Sequence, residues 1–243
     1  MRNVIVTGAS RGLGLAIAKK LASAGFAVIA TARKQTPQLV AAMAENSGGV
    51  ETIRFEPFDL SDVDGIARFV AKLRKGFGPI YGLVNNAGLG TDGTLALMHN
   101  ARIDELIRVN TLAPIVLTKY AVRAMMADGG GRVVNVSSIV ASTGYSGLSV
   151  YSATKASMVG FTRSLAREVG RLGVNVNAVA PGFLDTEMTQ GMAEEERARI
   201  ARRSALRRLP SVDDVAEAVA FLLGDAAASI TGTVLTVDAG ATA

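Results

Sequence analysis

Val4-Ile5-Val6-Thr7-Gly8-Ala9-Ser10-Arg11-Gly12-Leu13-Gly14 decides the fold. Val4 to Val6 is an apolar, β-branched run that reads as a buried strand, and residues 12–24 repeat apolar positions at helical spacing. The turn between them carries glycine at positions 8, 12 and 14. Glycine there permits a tight turn, close approach of backbone to a pyrophosphate, and close packing of helix on strand. The helix start adds free amides and a favourable dipole, so Gly8, Ser10, Arg11, Gly12, Leu13 and Gly14 read as an anion cradle. The same glycines would also serve a plain strand-to-helix turn; the strand and helix on either side favour the cradle.

Outward from this unit, strand and helix patterns alternate along the chain. Strands are predicted at 3–7, 27–32, 51–55, 80–85, 132–137, 174–180 and 233–237, and helices at 12–24, 37–45, 62–75, 101–127, 152–170 and 212–223. Short strands joined by helices imply right-handed crossovers between parallel strands. The expected fold is therefore α/β: a Rossmann-like, doubly wound, seven-stranded parallel sheet with helices on both faces, spanning residues 1–243 as one domain. Residues 183–211 interrupt the rhythm with Glu194-Glu195-Glu196-Arg197, Arg202-Arg203 and Arg207-Arg208. A charge run is commonly a solvated helical face, but its place after a strand's carboxyl end suggests a lid over the ligand crevice.

Composition removes several kinds of chemistry. There is no cysteine, so neither disulfides, thiolate nucleophiles nor cysteine-ligated zinc is available, and no metal centre is expected. The lone histidine, His99, sits in a polar stretch and reads as a surface residue, leaving no other candidate for a Ser-His-Asp relay. The formal charge of +5 comes without an arginine-rich tract or aromatic ladder, so nucleic acid is not an expected partner. No apolar stretch approaches the ~20 residues of a membrane-spanning helix, and the amino terminus lacks the pattern of a secretory signal. A cytoplasmic location is the expectation.

The second strand, Ala27 to Ala32, ends without a carboxylate to bind a free adenosine ribose; Arg33 follows instead. With Arg11 it could clamp a ribose phosphate by charge-assisted hydrogen bonds, favouring NADPH over NADH. Asp59, with Leu60 beside it, is placed after the third strand to accept a bond from an adenine amino group; a simple turn or a cap at Ser61 is the equal alternative.

Tyr151 and Lys155 are four residues apart at the start of a predicted helix and share a face. An ammonium near a phenol favours phenolate and should bring the tyrosine pKa down from about 10, allowing proton exchange with an alkoxide formed by hydride attack on a carbonyl. Ser138 closes the strand Val133 to Val136 at its carboxyl end and can orient that carbonyl oxygen. Asn110 lies inside the predicted helix 101–127, four residues before Pro114, which has no amide to return to the Asn110 carbonyl. That acceptor is expected to hold a water relaying protons to Lys155; a proline bend that merely shapes the helix is the alternative.

Taken together, Thr7-Gly8 through Gly12-Leu13-Gly14, Asn85-Asn86-Ala87-Gly88, Asn110, Ser138, Tyr151 through Lys155 and Pro181-Gly182 resemble the short-chain dehydrogenase/reductase family over essentially the whole chain. The resemblance implies a catalytic tetrad of Asn110, Ser138, Tyr151 and Lys155, with Lys155 also binding the nicotinamide ribose. It further implies that Asn86, Ala87 and Gly88 pass beside a cofactor ribose and that Pro181, Gly182 and Thr186 flank the nicotinamide. Within the family, residues 179–189, Tyr151-Ser152-Ala153-Thr154-Lys155 and the ending Val237-Asp238-Ala239-Gly240 are most similar to bacterial 3-oxoacyl-acyl-carrier-protein reductases. That similarity implies NADP(H), an acyl carrier protein as possible partner and a homotetramer. Acyl-CoA or small-ketone reduction, or a scaffold that binds NADP without turnover, are the alternatives. Arg123, Arg167 and Arg171 would be candidate carrier contacts, although solvent-facing helix arginines are the simpler reading.

Overall fold

In the computed structural model, residues 1–45, 52–91, 93–184 and 194–243 are described. The chain runs β1 (Asn3–Thr7), α1 (Gly12–Ser23), β2 (Ala27–Ala32), α2 (Pro37–Ala44), β3 (Ile53–Pro57), α3 (Ile66–Phe77), β4 (Ile80–Asn85), α4 (Asn100–Ile107) and α5 (Ala113–Ala127). It continues through β5 (Gly131–Val136), α6 (Ser149–Val169), β6 (Val174–Pro181), α7 (Glu194–Arg203), α8 (Val212–Leu223) and β7 (Val234–Val237). The strands form a seven-stranded sheet in the order β3-β2-β1-β4-β5-β6-β7, and each neighbouring pair is parallel. The order reverses between β1 and β4, the switch point where ligands of such sheets bind.

The two-residue period of a strand explains why helices cover both faces. Val4 and Val6 of β1 pack with Ile17 and Leu21 of α1 and Val215 and Val219 of α8, whereas Ile5 faces Phe69 and Leu73 of α3 and Leu117 of α5. Full burial of each such Ile or Leu contributes roughly 1.5–3 kcal/mol. Local signals fix the helix starts: Thr36 accepts the Leu39 amide ahead of Pro37, and Ser211 with Asp214 forms a reciprocal cap on α8.

One predicted element differs. The helix expected over 101–127 is interrupted by a π turn, Arg108–Leu112, in which the Ala113 amide reaches back five residues to the Arg108 carbonyl. This widened turn carries Asn110 and runs directly into Pro114, so the missing proline amide falls inside an already shifted ladder rather than in a regular α-helix. Of the expected lid, α7 is helical and charged, while residues 185–193 lie outside the described residues.

Beneath the carboxyl edge of the sheet runs a buried polar chain. Asn85 donates to Thr118 of α5 and to Asn135 of β5, both at 2.8 Å, and Asn135 donates to Thr162 of α6 at 2.8 Å. These bonds pin α5 and α6 to the central strands, although the Asn85 side-chain oxygen itself is buried without a partner.

Candidate active site

The glycine turn leaves β1 at the switch point. Gly8 and Gly12 have φ of 66° and 54°, values at which a side chain is strained. A Cβ on Gly14 would lie 2.2 Å from the Gly8 carbonyl oxygen and 2.5 Å from Asn86 Nδ2, so α1 can start this close to β1 only with glycine there. The turn is held from beneath by residues the sequence did not single out for that purpose. Thr7 Oγ1 accepts the amides of Asn86 and Ala87 at 3.0 and 2.9 Å, and Asn86 Nδ2 donates to the Thr7 carbonyl at 2.9 Å. Thr36 donates to the Ser10 carbonyl and so ties the segment following Arg33 to the cradle. Arg11 and Arg33 are both exposed, and Leu13 is half-buried against the core. Asp59 is exposed and one of its carboxylate oxygens accepts the Ser61 amide at 2.9 Å, the turn contact given as the equal alternative to an adenine contact; Leu60 packs on the core. His99 is exposed at the start of α4.

At the next strand ends, Ser138, Tyr151 and Lys155 come together. Register pairs Val136 of β5 with Val179 of β6, and the Ser137 amide continues the ladder to the Val179 carbonyl at 2.8 Å. Ser138 opens a short helical turn, its Oγ accepts the Val140 amide at 3.4 Å, and its side chain lies near enough to the Tyr151 hydroxyl to act on its ionisation. Lys155 is buried; its Nζ donates to the Val136 carbonyl at 2.9 Å and lies 5.7 Å from the centre of the Tyr151 ring. Ser137, which the sequence reading passed over, donates to the Lys155 carbonyl at 2.9 Å and fixes α6 against β5.

Asn110 joins the same group through side-chain contacts; the expected water relay concerned its main-chain carbonyl. Its side chain accepts the Leu89 amide at 2.7 Å and donates to the Leu89 carbonyl at 2.9 Å and to Thr154 at 3.2 Å. The side chain is thus a clamp on the loop after β4, and only its main chain is left for a water relay. A Cβ on Gly88 would sit 3.4 Å from both Asn110 Oδ1 and Lys155 Nζ, which places Gly88 between them. Pro181 and Gly182 close β6; the Gly182 amide donates to Val237 at 2.9 Å, and a Cβ there would come within 2.8 Å of Asp238 Cβ. Thr186 lies outside the described residues.

The expected lowering of the tyrosine pKa by Lys155 is not what the protein alone provides. Burial pushes Tyr151 up to about 12, opposed in part by the Ser138 side chain, and burial pushes Lys155 down to about 8. The lysine charge is itself penalised by desolvation and is directed at the Val136 carbonyl. The consequence for stability has a definite sign. Unfolded lysine binds its proton up to about pH 10.4, whereas folded Lys155 releases it near pH 8, so the unfolded state holds more protons between these values. Stability of the wild type relative to Lys155→Met should therefore rise as pH goes from about 8 to about 10. Urea unfolding of both proteins across that range checks this; a flat difference contradicts it.

The switch-point crevice, glycine cradle and hydroxyl-ammonium cluster define a Rossmann-type nucleotide-dependent oxidoreductase. A protein-family model described as Enoyl-(Acyl carrier protein) reductase matches residues 8–242. The 3-oxoacyl-[acyl-carrier-protein] reductase FabG of Escherichia coli is 39% identical over 236 residues, covering 97% of this chain and 95% of that protein. A solved short-chain dehydrogenase/reductase mutant from Serratia marcescens is 32% identical with a TM-score of 0.92, covering 100% of this chain and 98% of that one. A gluconate 5-dehydrogenase from Burkholderia cenocepacia, solved with NADP and tartrate, is 26% identical with a TM-score of 0.93, covering 99% and 95%. The chain belongs to the short-chain dehydrogenase/reductase family.

Proposed function

We propose that this protein is an NADPH-dependent ketone reductase that converts a 3-oxoacyl thioester, carried on acyl carrier protein, to the 3-hydroxyacyl thioester. The observation that carries the reading is the cluster of Ser138, Tyr151 and Lys155 at the carboxyl edge of β5 beside the switch point, with Lys155 Nζ 5.7 Å from the centre of the Tyr151 ring. Two hydroxyls meeting at one point suit a single oxygen, such as that of a carbonyl becoming an alkoxide. The FabG relatives support the 3-oxoacyl substrate, and the NADP-bound neighbour supports the cofactor.

The cradle suits a dinucleotide: Gly8 and Gly14 let the turn pack tightly on Asn86 and Ala87, Gly12 leaves its surface open with nothing within 4 Å of a Cβ there, and the start of α1 offers amides to phosphate. Ser10, Arg11 and Leu13 complete that turn, Arg33 would hold a ribose phosphate, and Asp59 and Leu60 would border the adenine. Asn86, Ala87 and Gly88 would line a ribose, with Pro181, Gly182 and Thr186 at the nicotinamide end. The cofactor supplies hydride when bound; the protein supplies the rest. Ser138 orients the carbonyl oxygen and Tyr151 gives it a proton. Lys155 holds ribose hydroxyls with donors beyond the one spent on Val136. The Asn110 main chain would anchor a water returning the proton from solvent. A tyrosine held near 12 stays protonated at neutral pH, which suits the reductive direction.

One experiment compares kcat/KM for NADPH and NADH, in wild type and Arg33→Ala, with matched 3-oxoacyl-carrier-protein, 3-oxoacyl-CoA and simple ketones. The carrier-bound substrate should be the best, and loss of charge-assisted bonds to the ribose phosphate should cost NADPH about tenfold or more while NADH changes little. Equal losses for the two cofactors would remove Arg33 from the phosphate site, and a preference for simple ketones would overturn the substrate.

A further inference from the structure

Asn110 holds the loop after β4, and Asn110 is in turn held by α6. Its Oδ1 accepts the Leu89 amide at 2.7 Å, while its Nδ2 donates to the Leu89 carbonyl at 2.9 Å and to Thr154 Oγ1 at 3.2 Å. The Leu89 groups belong to the loop being held. Thr154 is different: it is buried on the 21-residue α6. A hydroxyl has one proton, and that of Thr154 goes to the Tyr151 carbonyl at 2.7 Å. Toward Asn110 it therefore presents only lone pairs, which accept an amide NH2 and repel a carbonyl oxygen. The hydroxyl thus dictates which edge of the amide faces α6, and with it which edge meets Leu89. The next residue of the π turn is held in the same manner. Ser157 Oγ donates to the Thr154 carbonyl at 2.7 Å, which leaves Thr111 as the donor across the 3.0 Å to Ser157. Consecutive residues of the π turn are stitched in this way to two hydroxyls three positions apart on one face of α6.

We propose that Thr154 is a positioning residue for the reaction, which fixes through Asn110 the place of Gly88 and Leu89 against Lys155. The proposal rests on the ketone-reductase reading and adds a residue to its machinery. The loop after β4 is thereby located from Tyr151 itself, through the Tyr151 carbonyl, the Thr154 hydroxyl, the Asn110 amide and the Leu89 main chain in series. Gly88 has little slack, because a Cβ there would sit 3.4 Å from both Asn110 Oδ1 and Lys155 Nζ. An Asn110 that turns or retreats therefore shifts the loop relative to the ammonium. Thr154 is 2% exposed and cannot itself meet a substrate. Its loss should act on the rate, since a displacement of about 1 Å at a reacting centre can cost on the order of a hundredfold, and leave ketone binding in place.

The test uses Thr154→Val, which replaces the hydroxyl by a methyl of similar size, Thr154→Ser, which keeps it, and Asn110→Ala alone and combined with Thr154→Val. In the protein without cofactor, hydrogen exchange at the Leu89 amide should be about fivefold faster in Thr154→Val and within about twofold of wild type in Thr154→Ser. With NADPH and either a 3-oxoacyl thioester or a simple ketone, Thr154→Val should lower kcat about tenfold and leave the ketone KM within about twofold. Thr154→Ser should restore kcat. On top of Asn110→Ala, the valine should cost less than about twofold, because the residue it acts through is already gone. Unchanged Leu89 exchange in Thr154→Val, a serine variant as impaired as the valine variant, or the full valine loss repeated in Asn110→Ala would overturn the proposal. A wild type that reduces no ketone would sink the reductase reading, whereas Leu89 exchange, measured on the protein alone, would still decide whether Thr154 sets Asn110. If Thr154→Val does not fold, Thr154→Ala deletes the same hydroxyl without a new methyl and is compared with Thr154→Ser in the same way.

Discussion

Tyr151→Phe should reduce turnover by about a thousandfold while leaving NADPH affinity within about threefold of wild type. The substitution removes one hydroxyl from a ring whose packing is unchanged, and general acid catalysis of this kind typically contributes 10²–10⁴-fold, on the order of 3–5 kcal/mol of barrier. The residual rate would come from Ser138 and from the positioning of the two reactants. The result is read from steady-state kcat with a separate fluorescence titration of NADPH. Turnover within about tenfold of wild type would remove Tyr151 from proton transfer. A parallel collapse of cofactor binding would show that the hydroxyl supports the fold of the crevice instead.

Gly14→Ala should be comparably damaging by a different route. The new methyl would lie 2.2 Å from the Gly8 carbonyl oxygen, and a backbone atom cannot swing aside as the end of a side chain can. Either α1 moves away from β1 or the turn opens, and in both cases the cradle amides leave their positions. NADPH affinity should fall by about a hundredfold or more, with overpacking costing roughly 1–3 kcal/mol of stability. Gly76→Ala is the control: Gly76 lies in α3 with nothing within 4 Å of the new methyl, and the change should stabilise by about 0.5–1 kcal/mol with normal cofactor binding. Calorimetric titration of NADPH and thermal unfolding of the two variants decide it. Normal affinity in Gly14→Ala would mean that the turn is not where phosphate binds.

The sheet was legible because its information is local. Each strand is a short apolar run and each crossover a helical repeat, so the seven strands and their parallel sense follow from alternation alone. The identities of Ser138, Tyr151 and Lys155 were legible through spacing and resemblance, but their electrostatics were not. Whether burial or a neighbouring charge dominates depends on the depth at which Lys155 sits and on the Val136 carbonyl it faces, neither of which has a signature in the sequence. Asn110 is instructive for the same reason. Pro114 four residues on drew attention to the main-chain carbonyl, while the contacts that occupy its side chain run to Leu89 and Thr154, distant in sequence. The π turn was hidden too, since a proline near a polar residue reads equally as a simple kink. Thr7, Thr36, Ser137 and the Asn85–Asn135 chain serve by holding main chain or one another across the fold, and a small polar residue gives no local sign of such a partner.

The difference between the tyrosine held near 12 in the protein alone and the phenolate that alcohol oxidation would need bears on direction. Reduction starts from a protonated tyrosine, which burial favours; oxidation starts from phenolate, which burial opposes. The reductive rate should hold steady through neutral pH.

The most direct measurement uses NADPH stereospecifically deuterated at the nicotinamide carbon that donates hydride, in a single turnover with a 3-oxoacyl thioester, followed by mass spectrometry and NMR of the product. The account predicts one deuterium on the carbinol carbon of a 3-hydroxyacyl thioester from one of the two labelled stereoisomers. A saturated acyl product bearing the label, or a hydroxyacyl product unlabelled with both, would contradict it.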